Sequence, residues 1–275
     1  MSLRKKTTVV LVSALTAFAM AACGSKPGSD APEQTSVLEL LATDLRGSLQ
    51  KTMEATDKSD SVTAAMQGTM GAEKISMQGV FDLGDPVKAE MTTSGPDDGA
   101  PTIVRLIGTV IFVEVPAEER AGMDGKRWMK LDLSAAGEQL GMDFTKQFEN
   151  IDPIKQVKTL LALEGVTVVG EETVNGARTV HYTVTAPVAT YLGHLDAELR
   201  SGVEKQYAKQ GVKEVTMDLW VDEEYRPRRA GMNMGKMGDM TVDYTDYGKP
   251  VNIETPPAAE TFDFAEMLKG LSAGN

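Results

Sequence analysis

SVTAAMQGTMGAEKISMQGVFD, residues 61–82, decides the fold. Val62, Ala64, Met66, Gly68 and Met70 alternate with polar residues, and Ile75, Met77, Gly79, Phe81 and Leu83 continue the alternation. A period of two is the mark of a strand with one face buried. Gly71 to Lys74 supplies a turn between the two runs, so the stretch predicts an antiparallel hairpin.

Working outward, the same period recurs. Val87, Ala89 and Met91 follow after the turn Gly84-Asp85-Pro86. Thr102 to Val115 is a longer β-rich run with a hairpin point at Gly108, and Lys126 to Leu133 alternates again. Val166 to Val174 and Arg178 to Ala186 flank Asn175-Gly176, the strongest short hairpin signal in the chain. Glu214 to Asp222, Pro227 to Lys236 and Asp239 to Tyr247 add three more strands.

Helical spacing appears in three places. Leu38, Leu41, Leu45, Leu49 and Met53 form one stripe, with Ser36 as N-cap and Glu39 completing a capping box. Asp152 caps a second helix that opens on Pro153 and carries Ile154, Val157, Leu160 and Leu161. Val188 to Lys209 reads as a third, with Leu192, Leu195, Leu199 and Val203 aligned. The tail holds Pro256-Pro257 and a short helix near Phe264 to Leu271.

The pattern predicts an α+β fold: about ten antiparallel strands in two groups, with helices before, between and after. A sheet of this length must curl, split or close. The helices are too few to bury two sheets, so one strongly curved half-barrel sheet with helices across its concave face fits best.

The N-terminus is of another kind. Arg4, Lys5 and Lys6 precede an apolar run, Val9 to Ala19, too short for a stop-transfer helix. Met20-Ala21-Ala22-Cys23 resembles the lipobox of bacterial lipoproteins, with Met20 where Leu is commoner. Cys23 is the single cysteine. Its expected fate is acylation, with 1–22 removed as signal peptide, 23–36 as acylated cysteine and flexible tether, and 37–275 as one domain. A plain secretory signal that leaves Cys23 as a free thiol is the alternative, and such a thiol is a liability on an exported chain. No disulfide framework is available.

Charge and composition narrow the function. The chain carries −12, and removal of Arg4, Lys5 and Lys6 takes it to about −15. That excludes nucleic acid and electrostatic docking on anionic headgroups. His181 and His194 lie in no nucleophile elbow or metal-ligand spacing, and phosphate loops and dinucleotide fingerprints are missing. The expectation is a protein that is not an enzyme and needs no cofactor.

Three further stretches carry a resemblance. Leu219-Trp220-Val221-Asp222 runs through Glu223-Glu224-Tyr225 to Arg226-Pro227. Asp246-Tyr247-Gly248-Lys249-Pro250-Val251 leads into Ile253-Glu254-Thr255-Pro256-Pro257, and Lys126-Arg127-Trp128-Met129-Lys130-Leu131-Asp132 follows a hairpin. Together they resemble the actinobacterial lipoproteins of the LppX/LprG type, which have a LolA-like fold. The resemblance implies a half-open antiparallel barrel with helices across its mouth. It also implies a role in binding or moving lipids, glycolipids or acylated proteins in the cell envelope. Expected partners are thus a lipid or other apolar ligand and the membrane itself, reached through Cys23.

The inner face is predicted from period and apolar content. Met66, Met77, Phe81, Met91, Leu106, Val113, Leu131, Tyr182, Val184, Met217, Leu219, Val221 and Met234 are the candidate ligand-cavity lining. Methionine is abundant among them and aromatics are scarce, a surface suited to flexible acyl chains. A closed, methionine-filled core without cargo is the competing reading. Met232, Met234, Met237 and Met240 also raise a third, soft-metal binding of Cu(I), against which the spread of methionine over many strands argues.

Overall fold

The computed structural model describes residues 35–94, 101–134, 153–194 and 197–265. The described residues form one compact unit. The signal segment, Cys23, the tether up to residue 34, Asp152, Leu195 and most of the expected tail helix lie outside the described residues.

The first helical stripe forms two helices, α1 (Val37–Thr43) and α2 (Leu45–Asp57), where one was expected. Ser36 does cap the start, accepting from the Glu39 amide at 3.1 Å. The break is Asp44. Its backbone leaves the helical region (φ −112°, ψ 72°), its N–H closes α1 on the Leu40 carbonyl, and its carboxylate accepts from Gly47 N at 3.1 Å to open α2. One carboxylate thus starts the second helix where its residue ends the first. Leu38, Leu41 and Leu49 stay buried across the bend.

Twelve strands follow among the described residues. The first six are β1 (Ser61–Met70), β2 (Glu73–Asp82), β3 (Lys88–Thr93), β4 (Thr102–Ile107), β5 (Val110–Glu114) and β6 (Trp128–Asp132). After helix α3 (Pro153–Ala162) come β7 (Thr167–Val174) and β8 (Ala177–Pro187), joined by Asn175 and Gly176, both at positive φ as the two-residue turn demands. The expected helix from Val188 to Lys209 is also two, α4 (Val188–Gly193) and α5 (Ala197–Gln210). His194 caps α4, and Arg200 of α5 donates to the carbonyls of Leu192 and Gly193 at 2.9 and 3.0 Å, which folds α5 back on α4. Then come β9 (Glu214–Asp222), β10 (Pro227–Asn233), β11 (Gly238–Thr245) and β12 (Thr261–Asp263).

All twelve lie in one sheet, in the order β12-β6-β5-β4-β3-β2-β1-β11-β10-β9-β8-β7. The expectation of one curved sheet of about ten strands, read in two groups, holds, with twelve strands among the described residues. The two meanders fuse because β1 pairs with β11 from Thr63↔Thr245 to Met70↔Gly238. The added strand, β12, is three residues long and runs parallel to β6. Neither its length nor its distant partner leaves a periodic trace in sequence.

The half-barrel expectation holds. Glycine lets neighbouring strands press together at the bend: a Cβ on Gly79 would sit 2.5 Å from the Glu90 carbonyl, and one on Gly68 would collide with the Asp239 carbonyl. Helices cover one face, α1 on β7 and β8, α3 on β9 and β10, α4 on β8 and β9. Tyr182 points into that layer and donates its hydroxyl to the Leu41 carbonyl at 2.7 Å, at the far end of α1.

Two features tie the back of the sheet. Asp222, buried at the end of β9, accepts from the amides of Glu224 and Arg226 at 3.0 and 2.8 Å and pairs with Arg228 Nε. It therefore holds the β9–β10 turn, where Tyr225 sits at φ 58°. Beyond β11, the chain crosses to the other wing. Arg105 donates to the Glu254 carbonyl, Lys126 to the Ala259 carbonyl, and the Arg127 amide to Glu260 O. Arg105 also stacks over the buried Trp128 ring at 4.9 Å.

Substituting Asp222 by Ala leaves Arg228 and two amides without their acceptor. The expected loss is about 3 kcal/mol of unfolding free energy, measured by urea denaturation. A loss below a few tenths would show that the turn holds itself.

Candidate functional site

The cross-strand register places the predicted inner residues on a common face. Tyr182 lies opposite Leu219, and Val184 opposite Met217. Leu219 and Met217 lie opposite Ala230 and Met232, and Val221 opposite Pro227. Met66 faces Met77 across β1–β2, and Phe81 faces Ala89 across β2–β3. Met91 and Leu106 continue through Val104 and Ile111 to Val113 and Leu131. This is the helix-covered face, since Tyr182 reaches α1 from it.

Met234 is the exception. β10 ends at Asn233, whose side chain accepts from the Gly235 amide and turns the chain. Met234 is buried with Met237 against Leu192, Tyr207 and Val215, in a satellite cluster under α4 and α5. Counting by twos past the end of a strand put it on the sheet. Met232 and Met240 do stay on the face, opposite one another. Met232 also packs against that satellite cluster, so Met232, Met234 and Met237 share one apolar surround.

The face has two unlike halves. On β8 and β9, Tyr182, Leu219 and Val221 are 0% exposed, and Val184 and Met217 are 2% exposed. They pack with Leu38, Leu41, Leu49, Val157 and Leu160 of the helices. Such exposures leave no water-sized space against these side chains. This half is a close-packed core.

On β1 to β6 the floor is different. Met66, Met77, Phe81, Val113 and Leu131 are half-buried, while Met91 and Leu106 are buried beside Ala89 and Leu133. Val104, Ile111 and Met129 share the face and are also half-buried. The sequence reading missed Val104 and Ile111, although they alternate in the same runs as Leu106 and Val113. The strip they form is apolar, and it keeps accessible surface that the other half does not.

The opposite face carries the electrostatics. His181 stacks on Trp220 with ring centres 4.0 Å apart. Its Nδ1 lies 3.0 Å from Glu172 Oε1 and its Nε2 2.9 Å from Asp218 Oδ1. Trp220 Nε1 donates to Glu172 Oε2 at 2.8 Å, and Arg229 Nη2 to Asp243 Oδ2 at 2.9 Å. Hydrogen bonds from Trp220 and then His181 hold the Glu172 carboxyl below its usual range. The Arg229 guanidinium does the same for Asp243. His181 is thus a cross-strand tie. His194 ends a short helix. On α4, burial pushes the Tyr191 phenol up to about 12.

No family model matches the chain. A Streptomyces coelicolor protein with a provisional lipoprotein name is 28% identical over 238 residues, 80% of this chain and 75% of its own. An uncharacterised 31.2 kDa protein of Streptomyces griseus is 37% identical over 159 residues, 54% of this chain and about half (52%) of that protein's length. Among solved structures, lipoprotein LppX of Mycobacterium tuberculosis aligns over 77% of this chain and 98% of its own with a TM-score of 0.51 at 17% identity. The chain has the LppX fold. LprF from Mycobacterium bovis gives 0.52 at 14% identity over 78% of this chain and 98% of its own. The resemblance read from the Trp220, Tyr247 and Trp128 stretches holds at the level of that fold.

For this LppX-type sheet the outer-face ties set an acid dependence. Glu172 and Asp243 have depressed folded-state values, so their stabilisation is fully present above the unfolded carboxyl range, about 4. It is lost as pH falls through the folded values. The urea midpoint should drop between pH 5 and pH 3, and Asp243→Asn should flatten that drop. An unchanged profile in Asp243→Asn would remove the Arg229–Asp243 pair from the account.

Proposed function

We propose that this chain is an exported lipoprotein, held at the outer face of the cytoplasmic membrane or in the cell envelope by an acylated Cys23. There it binds a lipid, glycolipid or other apolar ligand, and its role is carriage within the envelope. The observation that supports binding is the half-buried apolar strip on β1 to β6, with Met66, Met77, Phe81, Val113 and Leu131 on its floor. Unbranched thioether chains conform to irregular acyl chains at low cost. The lipobox-like Met20 to Cys23 supports the anchor, as does the provisional lipoprotein name of the Streptomyces coelicolor relative.

A second reading has its own support. The sealed half under α1, α2 and α3 is what a structural or partner-binding lipoprotein without cargo would build. The two readings differ in what the strip does, and a bulky residue on each half separates them.

Met217→Trp, on the sealed half, should cost about 1–3 kcal/mol or more through overpacking. Met77→Trp, on the strip, should leave the melting temperature near wild type while lowering the lipid recovered by extraction and mass spectrometry. Equal destabilisation by both, with no lipid recovered from any form, would favour the closed-core lipoprotein.

Cys23→Ser should release the protein from membranes or leave an uncleaved precursor. A fully processed Cys23→Ser protein that stays on the membrane would sink the anchor.

A further inference from the structure

We propose that Met217, Met232 and Met240 form a binding site for Cu(I), in which three thioether sulfurs hold one ion on the inner face of the sheet. The three lie in one row across β9, β10 and β11. Met232 stands directly opposite Met217 on one side and directly opposite Met240 on the other. Side chains so placed share a face and start about 5 Å apart at Cβ. Each thioether chain is unbranched and rotates freely about its bonds, so neighbouring sulfurs can turn to a common point.

The ligand set selects the ion. Thioether sulfur is soft and uncharged. Soft sulfur ligands favour Cu(I), whereas carboxylate, carbonyl and water suit hard divalent ions. Among the described residues no group of three His, Cys, Asp or Glu side chains offers a harder site. The net charge of −12 also draws cations towards the protein.

The surroundings suit the ion too. Met232 packs against both buried clusters, that of Met217 and Leu219 and that of Met234 and Met237. This apolar setting excludes water as a competing ligand. Met217 is buried, whereas Met232 and Met240 are half-buried, which leaves an approach from one side. No water-sized cavity is needed: a first-row metal–sulfur bond is about 2.3 Å, so three sulfurs around one ion stand about 4 Å apart, close to ordinary contact. Beyond Met240 the row ends at Gly68, which adds no side chain.

Along the sequence the methionines are spread over many strands, which argues against a local metal site. Pairing gathers them. Met217 lies on the strand before the methionine-rich hairpin, and the β9–β10 register makes it the direct neighbour of Met232. The row uses none of the residues of the β1–β6 strip, so the site does not rest on lipid binding there.

The test is an anaerobic titration of the full chain with Cu(I) against the chelator bathocuproine disulfonate. One equivalent should be withheld from the chelator, and X-ray absorption of the loaded protein should show sulfur alone as nearest neighbour. Met232→Leu and Met240→Leu each keep the side-chain volume and remove one sulfur. Each should weaken binding about tenfold or more, the scale on which metal sites respond to loss of a supporting group. Met70→Leu, at an exposed methionine outside the row, should bind as the wild type does. Cys23→Ser removes the one thiol and should also keep the affinity. Thermal melts by circular dichroism that match the wild type show that the leucine variants fold. No copper withheld from the chelator, or oxygen or nitrogen as the nearest neighbour, would overturn the site. Binding that survives both leucine substitutions, or that vanishes in Cys23→Ser, would overturn it as well.

Discussion

The ladder between β1 and β11 is the constraint on which the rest depends. Each meander alone, β1 to β6 or β7 to β11, pairs strands that are consecutive in sequence. The β1–β11 pairing brings together Thr63 and Thr245, and Ser61 adds a hydroxyl bond to the Lys249 carbonyl. Loop closure over that span is paid once, and its cost grows only slowly with length. Once it is made, Val242 falls in line with Met66 and Met77, and one face runs through both wings. The same pairing brings Gly68 against the Asp239 carbonyl, an approach that leaves no room for a side chain there.

That continuous face is then used unevenly. Helices α1 and α3 cover the later wing, and their leucines exclude solvent from Tyr182, Leu219 and Val221. This half supplies most of the burial that holds the sheet and helices together. The earlier wing contributes a smaller cluster around Ala89, Met91 and Leu106, edged by half-buried methionines and branched side chains. Stability and ligand contact can therefore reside in different halves of one surface.

Much of this was legible from period alone. Alternation in 61–82 found β1 and β2, and Asn175-Gly176 found the β7–β8 hairpin. Parity along each strand found the inner face wherever a strand was correctly bounded. It failed at Met234, one residue beyond β10, because a side-chain bond from Asn233 ended the strand. Helical stripes hid their own breaks, since Asp44 caps α2 without interrupting the spacing of Leu41, Leu45 and Leu49. Which half would be sealed was not legible. That depends on where α1 and α3 land, a tertiary fact with no local pattern.

An open sheet has two bare edges, and both invite other chains to pair. At one, the C-terminal strand is only three residues long and ends on Asp263, tied to Lys130. At the other, β7 carries an irregularity between Val168 and Gly170 and the acidic pair Glu171-Glu172. Shortness, a bulge and fixed charge are the devices that keep exposed edges from templating new strands. Under the proposed anchoring they would matter most, since neighbouring copies on a surface share two dimensions and collide more often than in bulk solvent. The segment that straps the back of the sheet thus also ends in the short strand that guards one edge.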